Sequence, residues 1–308
     1  MIVLQDNFSS RLQFNTIIAL GSFDGLHTGH LTLMNKTVEI AKRNNAKSMV
    51  FTFVNHPLTV IDKKRAPKLI MDNETKIELL EKLNIDITVF AEFNESFMKL
   101  LAKDFILNLI EVYNCTGIVV GFNHRFGYKN YGDIELLKKL SEQYGFTLYI
   151  ENPITHNGDV ISSTKIRNLL LEGYVEEANT MLLHPYMLKG KVIHGKNIGG
   201  KLLGFPTANL QYDDNFVIPK IGVYYTAVEV SKKLYKGITN VGTNPTIGEN
   251  PITIETFILD FNNDIYDDKI KVYFIKKIRE QVKFTSLDEL KSQLYKDKSF
   301  AEKQILKI

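Results

Sequence analysis

Two histidines three residues apart, His27 and His30, close the stretch Gly21-Ser22-Phe23-Asp24-Gly25-Leu26-His27-Thr28-Gly29-His30. At a helix start that spacing puts both imidazoles on one face, where they can donate to phosphate oxygens as negative charge builds on them. The glycines let a ligand approach the backbone, and the helix N-terminus adds unpaired N–H groups and a favourable dipole. A second candidate is Glu255. On a strand over 253–261 it shares a face with Phe257, Leu259 and Phe261, so this acid either reaches solvent at a strand end or belongs to a site.

A third candidate lies at 190–209, where glycines and lysines together fit an anion-binding loop. Thr207 and Asn209 at its end offer hard neutral oxygens, which beside nucleotide phosphates suit Mg²⁺. The single cysteine, Cys115, has no activating neighbour and reads as structural.

The elements needed to position these groups are visible in the pattern. An apolar strand, Thr16-Ile17-Ile18-Ala19-Leu20, precedes the glycine turn, and a helix with Leu31, Met34, Val38 and Ala41 on one face follows it. A second strand over 48–53 ends at Val54-Asn55-His56-Pro57, where the proline holds His56 extended. Helices are expected at 73–83, with Asn73 as cap, and at 95–113, with a short strand over 85–90 between them. The run 117–120 is apolar on both faces and empties into Gly121-Phe122-Asn123-His124-Arg125-Phe126-Gly127. A strand over 146–150 leads to Ser162-Ser163-Thr164-Lys165-Ile166-Arg167 at another helix start. Strands ending at Leu20, Phe53 and Val120 thus deliver polar, aromatic or glycine residues to one sheet edge, where open parallel sheets bind ligands.

After Pro185 the pattern turns to β-rich alternation: runs at 186–194, 223–230, 234–241, 253–261 and 269–279 predict a small antiparallel barrel. A last helix is expected over 287–297, capped by Ser286. The boundaries expected are therefore 1–184 and 185–308, which fits 308 residues with 44% hydrophobic side chains. Thirty-eight basic against 35 acidic residues leave a formal charge of +3, with no electrostatic case for duplex or membrane-surface binding. No signal-peptide pattern and no apolar run of ~18 residues is present, so a cytoplasmic location is expected.

The 21–30 stretch, the Asn55-His56-Pro57 turn, the 121–127 loop and the 162–167 segment, in that order, resemble the FMN adenylyltransferase module of the bacterial bifunctional riboflavin kinase/FAD synthetases. That module is one of the HxGH nucleotidyltransferases. The resemblance implies a Rossmann-like α/β domain and the reaction FMN + ATP → FAD + pyrophosphate. It also implies that His27 and His30 steady the α-phosphate and the departing pyrophosphate, and that Gly21, Phe23, Asp24 and Gly25 line the ATP. Ser163, Thr164 and Arg167 would hold the outer phosphates, and Phe53, His56, Pro57, Asn123 and Phe126 would contact flavin. Val54-Asn55 stands where many members read Asp-Pro.

The second half is similar to the riboflavin kinase module of the same family, most specifically in Gly204-Phe205-Pro206-Thr207-Ala208-Asn209. That likeness implies Mg²⁺-nucleotide on Thr207 and Asn209, and phosphate contacts from Gly195, Lys201, Gly204 and Pro206. Glu255 would accept the proton of the riboflavin 5′-hydroxyl, and Arg279 would lie near the flavin. Phe257 replaces a histidine common after the glutamate. Two readings follow: an enzyme that makes FMN and then FAD, or an FAD synthetase whose second module binds flavin without kinase activity. Either way the expected partners are riboflavin, FMN and ATP, with no nucleic acid, membrane or obligate protein partner.

Overall fold

Residues 1–195, 205–243 and 252–308 are described by a computed structural model. The chain divides into two units, Met1–Ser163 and Thr164–Ile308.

In the first unit, strands β1 (Ile2–Gln5), β2 (Thr16–Leu20), β3 (Lys47–Phe53), β4 (Ile87–Ala91), β5 (Cys115–Gly121) and β6 (Thr147–Glu151) pair side by side in the order β1-β4-β3-β2-β5-β6. Every pairing is parallel. Strands β2 and β4 are buried at every position, the continuous apolar run that a sheet covered on both faces demands. The order grows outward from β2 in one direction through β3 and β4 and in the other through β5 and β6. The carboxyl ends of β2 and β5 therefore flank a crevice at the point where the winding reverses. Helices α1 (Thr28–Arg43), α2 (Leu58–Ile61), α3 (Asn73–Lys82), α4 (Glu95–Met98), α5 (Ala102–Tyr113) and α6 (Ile134–Tyr144) complete the wrapping. A two-stranded hairpin, β7 (Thr155–His156) with β8 (Asp159–Val160), precedes the second unit.

Three local expectations change here. The helix expected over 95–113 is two helices, because the Leu100 carbonyl is taken at 2.8 Å by the Tyr128 amide of a distant loop, and α5 starts afresh after an extended Leu101. Helix α3 is capped by Asp72, whose carboxylate accepts from the Thr75 amide at 2.6 Å, while the Asn73 side chain donates to the Val54 carbonyl. Strand β1, which pairs with β4 at the sheet edge, is an addition.

Helices α7 (Ser163–Glu172) and α8 (Val175–Met181) open the second unit. Asn179 of α8 donates to the Phe274 carbonyl and accepts from the Tyr186 amide, both at 2.8 Å, which ties this helix to the barrel that follows. The barrel is closed and antiparallel, in the order β10-β13-β12-β11-β14-β9. Its strands are β9 (Met187–Ile193), β10 (Thr207–Tyr212), β11 (Gly222–Val230), β12 (Lys233–Thr243), β13 (Ile252–Ile258) and β14 (Lys269–Arg279). Closure leaves no unpaired edge. Inside, the hydroxyls of Thr226, Thr239 and Thr256 bond one another at 2.9 and 2.8 Å, so three buried polar groups satisfy each other. Strand β10 was absent from the expected runs, and β13 ends at Ile258, short of Phe261.

Helix α9 (Leu287–Glu302) is longer than the 287–297 expected and closes over the outer face of the barrel. There Ala301 and Phe300 pack on Val223, Tyr225 and Ile238. Asp297, 1% exposed, accepts from Nε and Nη2 of Arg279 at 3.1 and 2.8 Å and from Gln293 at 2.8 Å. Asp297→Ala should destabilise the second unit by roughly 2–4 kcal/mol, because it strands a guanidinium in a mostly buried place. Urea unfolding followed in the barrel measures this, and an unchanged midpoint contradicts the anchoring role.

Candidate active sites

The 21–30 turn leaves β2 with two left-handed steps, at Phe23 (φ 49°) and Gly25 (φ 63°). Gly25 has no alternative, since a Cβ there would also stand 2.6 Å from Ile70. The step at Phe23 falls on a bulky residue and needs outside support. That support comes from the Ser22 carbonyl, which accepts from Thr52 Oγ1 on β3 and from Lys76 Nζ on α3, each at 2.9 Å. The buried Asp24 carboxylate accepts from the Ile70 and Met71 amides, and the Asp24 carbonyl accepts from Ser163 Oγ at 2.8 Å. Asp24 and Ser163, both expected at phosphates, are thus engaged in holding the turn.

The two histidines follow directly. His27 caps α1, its Nδ1 accepting from the His30 amide at 3.3 Å, and the two rings stack at 3.6 Å. The Phe23 ring meets His30 edge-on at 5.1 Å. Burial pulls His27 down to about 4, and burial together with His27 and Lys76 holds His30 well below the usual histidine range. A neutral ring whose Nδ1 accepts carries its proton on Nε2, so His27 offers an N–H donor at the head of α1. The Nδ1 of His30 is buried without a partner.

Beside the turn lies a cavity of about 430 Å³. Gly21 and Ser22 form one part of its wall, and Phe53, His56, Pro57 and Phe126 line it with Phe93 and Phe97. Four of the five expected flavin contacts are therefore gathered around one space. Asn123 is exposed and outside the lining, because the His124 amide turns back onto the Gly121 carbonyl and leaves Phe122 and Asn123 at the surface. In its place His124, Arg125 and Lys129 reach the cavity. Asn55 accepts from the Phe93 amide at 3.0 Å and donates to its carbonyl at 2.9 Å, fixing one aromatic wall. Thr164 and Arg167 stand at the start of α7. Cys115 is buried and its thiol pushed up to about 12 by that burial, in keeping with a structural role.

In the barrel, strand register lines up the second set of candidates. Arg279 pairs with Val223, Val223 with Asn240, Asn240 with Glu255, and Glu255 with Asn209, one row across five strands. Directly paired residues share a face, so these side chains project together. Ile254, Thr256 and Ile258 are buried and alternate with Glu255 and Phe257, which line a cavity of about 340 Å³ together with Phe205, Thr207, Asn240 and Arg279. Helix α9 contributes Leu290, Leu294 and Asp297 to that wall. Thr207 also lines a neighbouring space of about 350 Å³ with Pro206 and Tyr266, and so stands between the two. Gly195 packs against the Asn209 amide so closely that a Cβ would stand 2.1 Å from its nitrogen. Asn240 joins the row through register. Lys201 and Gly204 lie outside the described residues. Among the described residues no group of three or more His, Cys, Asp or Glu side chains could hold a metal, and no helix is long and apolar enough to cross a membrane.

A glycine turn bearing two histidines at the reversal point of a parallel sheet, followed by a closed antiparallel barrel with a carboxylate in its cavity, is a two-domain transferase arrangement. The FAD synthetase family model matches residues 9–165, and the riboflavin kinase model matches residues 182–305. Curated bifunctional riboflavin kinase/FMN adenylyltransferases are similar along nearly the whole length. The one from Buchnera aphidicola (Schizaphis graminum) is 37% identical over 95% of both chains. That from Bacillus subtilis is 36% identical over 94% of this chain and 92% of its own. A solved structure from Streptococcus pneumoniae, described as a macrolide-efflux protein, matches with a TM-score of 0.91 at 29% identity, covering 99% of this chain and 100% of that one. The chain belongs to the bifunctional riboflavin kinase/FMN adenylyltransferase family.

Burial holds His124 down at about 4 against an ordinary 6.5, and its Nε2 has no partner. As pH falls through this window the unfolded chain takes up a proton that the folded chain refuses, so stability present above pH 6.5 is lost towards pH 4. His124→Phe removes one such group, and its unfolding midpoint relative to wild type should rise steadily as pH is lowered from 7.5 to 4.5. A difference that does not change with pH would contradict the burial argument.

Proposed function

We propose that the chain phosphorylates riboflavin to FMN with ATP and then adenylylates FMN to FAD with a second ATP, releasing pyrophosphate. The observation that carries this reading is the cavity of about 430 Å³ whose wall includes Gly21 and Ser22: an aromatic space for a planar ring system opens beside a phosphate-type turn.

In the first unit, an FMN phosphate oxygen attacks the ATP α-phosphorus, forming the new P–O bond as the bond to pyrophosphate breaks. Positioning and charge neutralisation supply most of the catalysis, and no covalent nucleophile is needed. His27 and His30 stabilise the charge on the phosphates, His27 through its Nε2–H. Phe53, His56, Pro57 and Phe126 hold the flavin, with His124 added to that set. Asn123 stays a candidate for the ligand's exposed edge, Thr164 and Arg167 serve the outer phosphates, and Ser163 acts through the turn that its hydroxyl holds.

In the second unit, the riboflavin 5′-hydroxyl gives its proton to Glu255 as its oxygen attacks the γ-phosphorus, and ADP leaves. Asn240 and Asn209, paired across the strands with Glu255, hold that carboxylate's surroundings. Arg279 contributes by fixing α9 as a wall of the flavin space. The Thr207 hydroxyl and Asn209 amide oxygen fit Mg²⁺ as hard neutral donors beside the register row, with Gly195 and Pro206 near the nucleotide. When bound by these two side chains, Mg²⁺ would neutralise charge on the nucleotide phosphates. The transporter description of the Streptococcus pneumoniae structure is not carried over, because both family models and the curated relatives agree on flavin nucleotide synthesis.

Two substitutions divide the labour. Glu255→Gln should cut riboflavin phosphorylation by roughly 10²–10⁴-fold and leave FMN adenylylation intact. His30→Ala should cut FMN adenylylation by roughly 10²–10³-fold and leave phosphorylation intact. Separate assays of the two steps on purified full-length protein check this. Equal losses in both assays for either variant would contradict the division.

A further inference from the structure

Lys76 is the one lysine among the buried charged side chains of the described residues, 4% exposed on α3. Its Nζ donates to the Ser22 carbonyl at 2.9 Å, the same oxygen that Thr52 reaches, and stands 5.9 Å from the centre of the Phe90 ring on β4. Facing it are Asp24 and His30 from the turn and Asp72 from the start of α3. A buried ammonium group is costly, and an apolar side chain of similar volume would fill the space at no such cost. What the ammonium group does here is local: a charge-assisted bond to the carbonyl that immediately precedes the left-handed step at Phe23.

That step sets the Phe23 ring against His30, and the same positive charge discourages protonation of His30. We infer that Lys76 is a positioning residue for adenylyl transfer, fixing the Ser22 carbonyl and with it the placement of Phe23 and His30. The inference rests on the reading of the 21–30 turn as the adenylyl-transfer centre. Lys76 is absent from the lining of the cavity beside the turn. It acts through the turn, so its loss should appear in turnover more than in FMN affinity. Burial brings Lys76 down to about 8, against the opposing pull of Asp24 and Asp72, so the ammonium form predominates at neutral pH and is lost progressively above pH 8.

The experiment is a pH series, 6.5 to 9.5, of FMN adenylylation by wild type, Lys76→Met and Lys76→Arg in the full chain, with riboflavin phosphorylation by the same preparations as reference. Wild type should lose adenylylation turnover above about pH 8. Lys76→Met should fall roughly ten- to hundredfold in kcat at neutral pH, with KM for FMN within about threefold, and should lack the alkaline limb. Lys76→Arg should recover part of the rate and also lack the limb, because a guanidinium does not titrate in this range. Full turnover in Lys76→Met, or an alkaline limb that persists in Lys76→Arg, overturns the inference. Should Lys76→Met fail to fold, the limb in wild type and its absence in Lys76→Arg decide alone. Undiminished adenylylation in His30→Ala would instead overturn the underlying reading of the turn, whatever Lys76 does.

Discussion

One carbonyl oxygen, that of Ser22, receives a hydroxyl from β3 and an ammonium from α3, and the geometry of the first site depends on it. Left-handed backbone at a phenylalanine is costly unless its surroundings over-determine it. Here the two donors on Ser22 precede the step and the Asp24 carboxylate, locked onto the Ile70 and Met71 amides, follows it. The consequence is a turn stiff enough to deliver one histidine as a helix cap and stack the second upon it, both neutral. A neutral, oriented imidazole stabilises charge that develops on a phosphate without rearrangement during the reaction.

The barrel solves its positioning problem differently. There the constraint is register: antiparallel pairing carries Arg279, Val223, Asn240, Glu255 and Asn209 across neighbouring strands on one face. A slip of one residue on β13 would turn Glu255 into the packed interior and Thr256 out of it. The hydrogen-bonded threonines on the inner face oppose such a slip, since each would lose a partner in a buried place. Arg279, bound to Asp297, clamps α9 over the barrel cavity, so the helix is part of that cavity's wall.

What the sequence made legible follows from the range of the interactions concerned. Apolar runs ending at Leu20, Phe53 and near Val120 mark parallel strands because burial on both faces leaves little room for polar residues, and the glycine turn stands out by composition. The break between α4 and α5 was hidden, because it is made by the Tyr128 amide from a loop far along the chain. Strand β10 was hidden because its threonine and asparagine read as a loop, although Ala208 and Leu210 alternate as buried positions should. Asn123 looked like a cavity residue from its place after β5, yet a tight turn exposes it and brings His124 inward. Lys76 gave no signal at all: on an amphipathic helix a lysine reads as solvated, and only tertiary contact reveals it beneath the turn.

Flavin conversion on this chain proceeds at two separate centres acting in sequence. The most direct test of this is a product time course from riboflavin, ATP and Mg²⁺ with no FMN added. FMN should appear without delay, and FAD should follow after a lag during which FMN accumulates, with riboflavin ending as FAD. Riboflavin left unconverted, while supplied FMN becomes FAD, would contradict the claim and leave the barrel as a flavin-binding module.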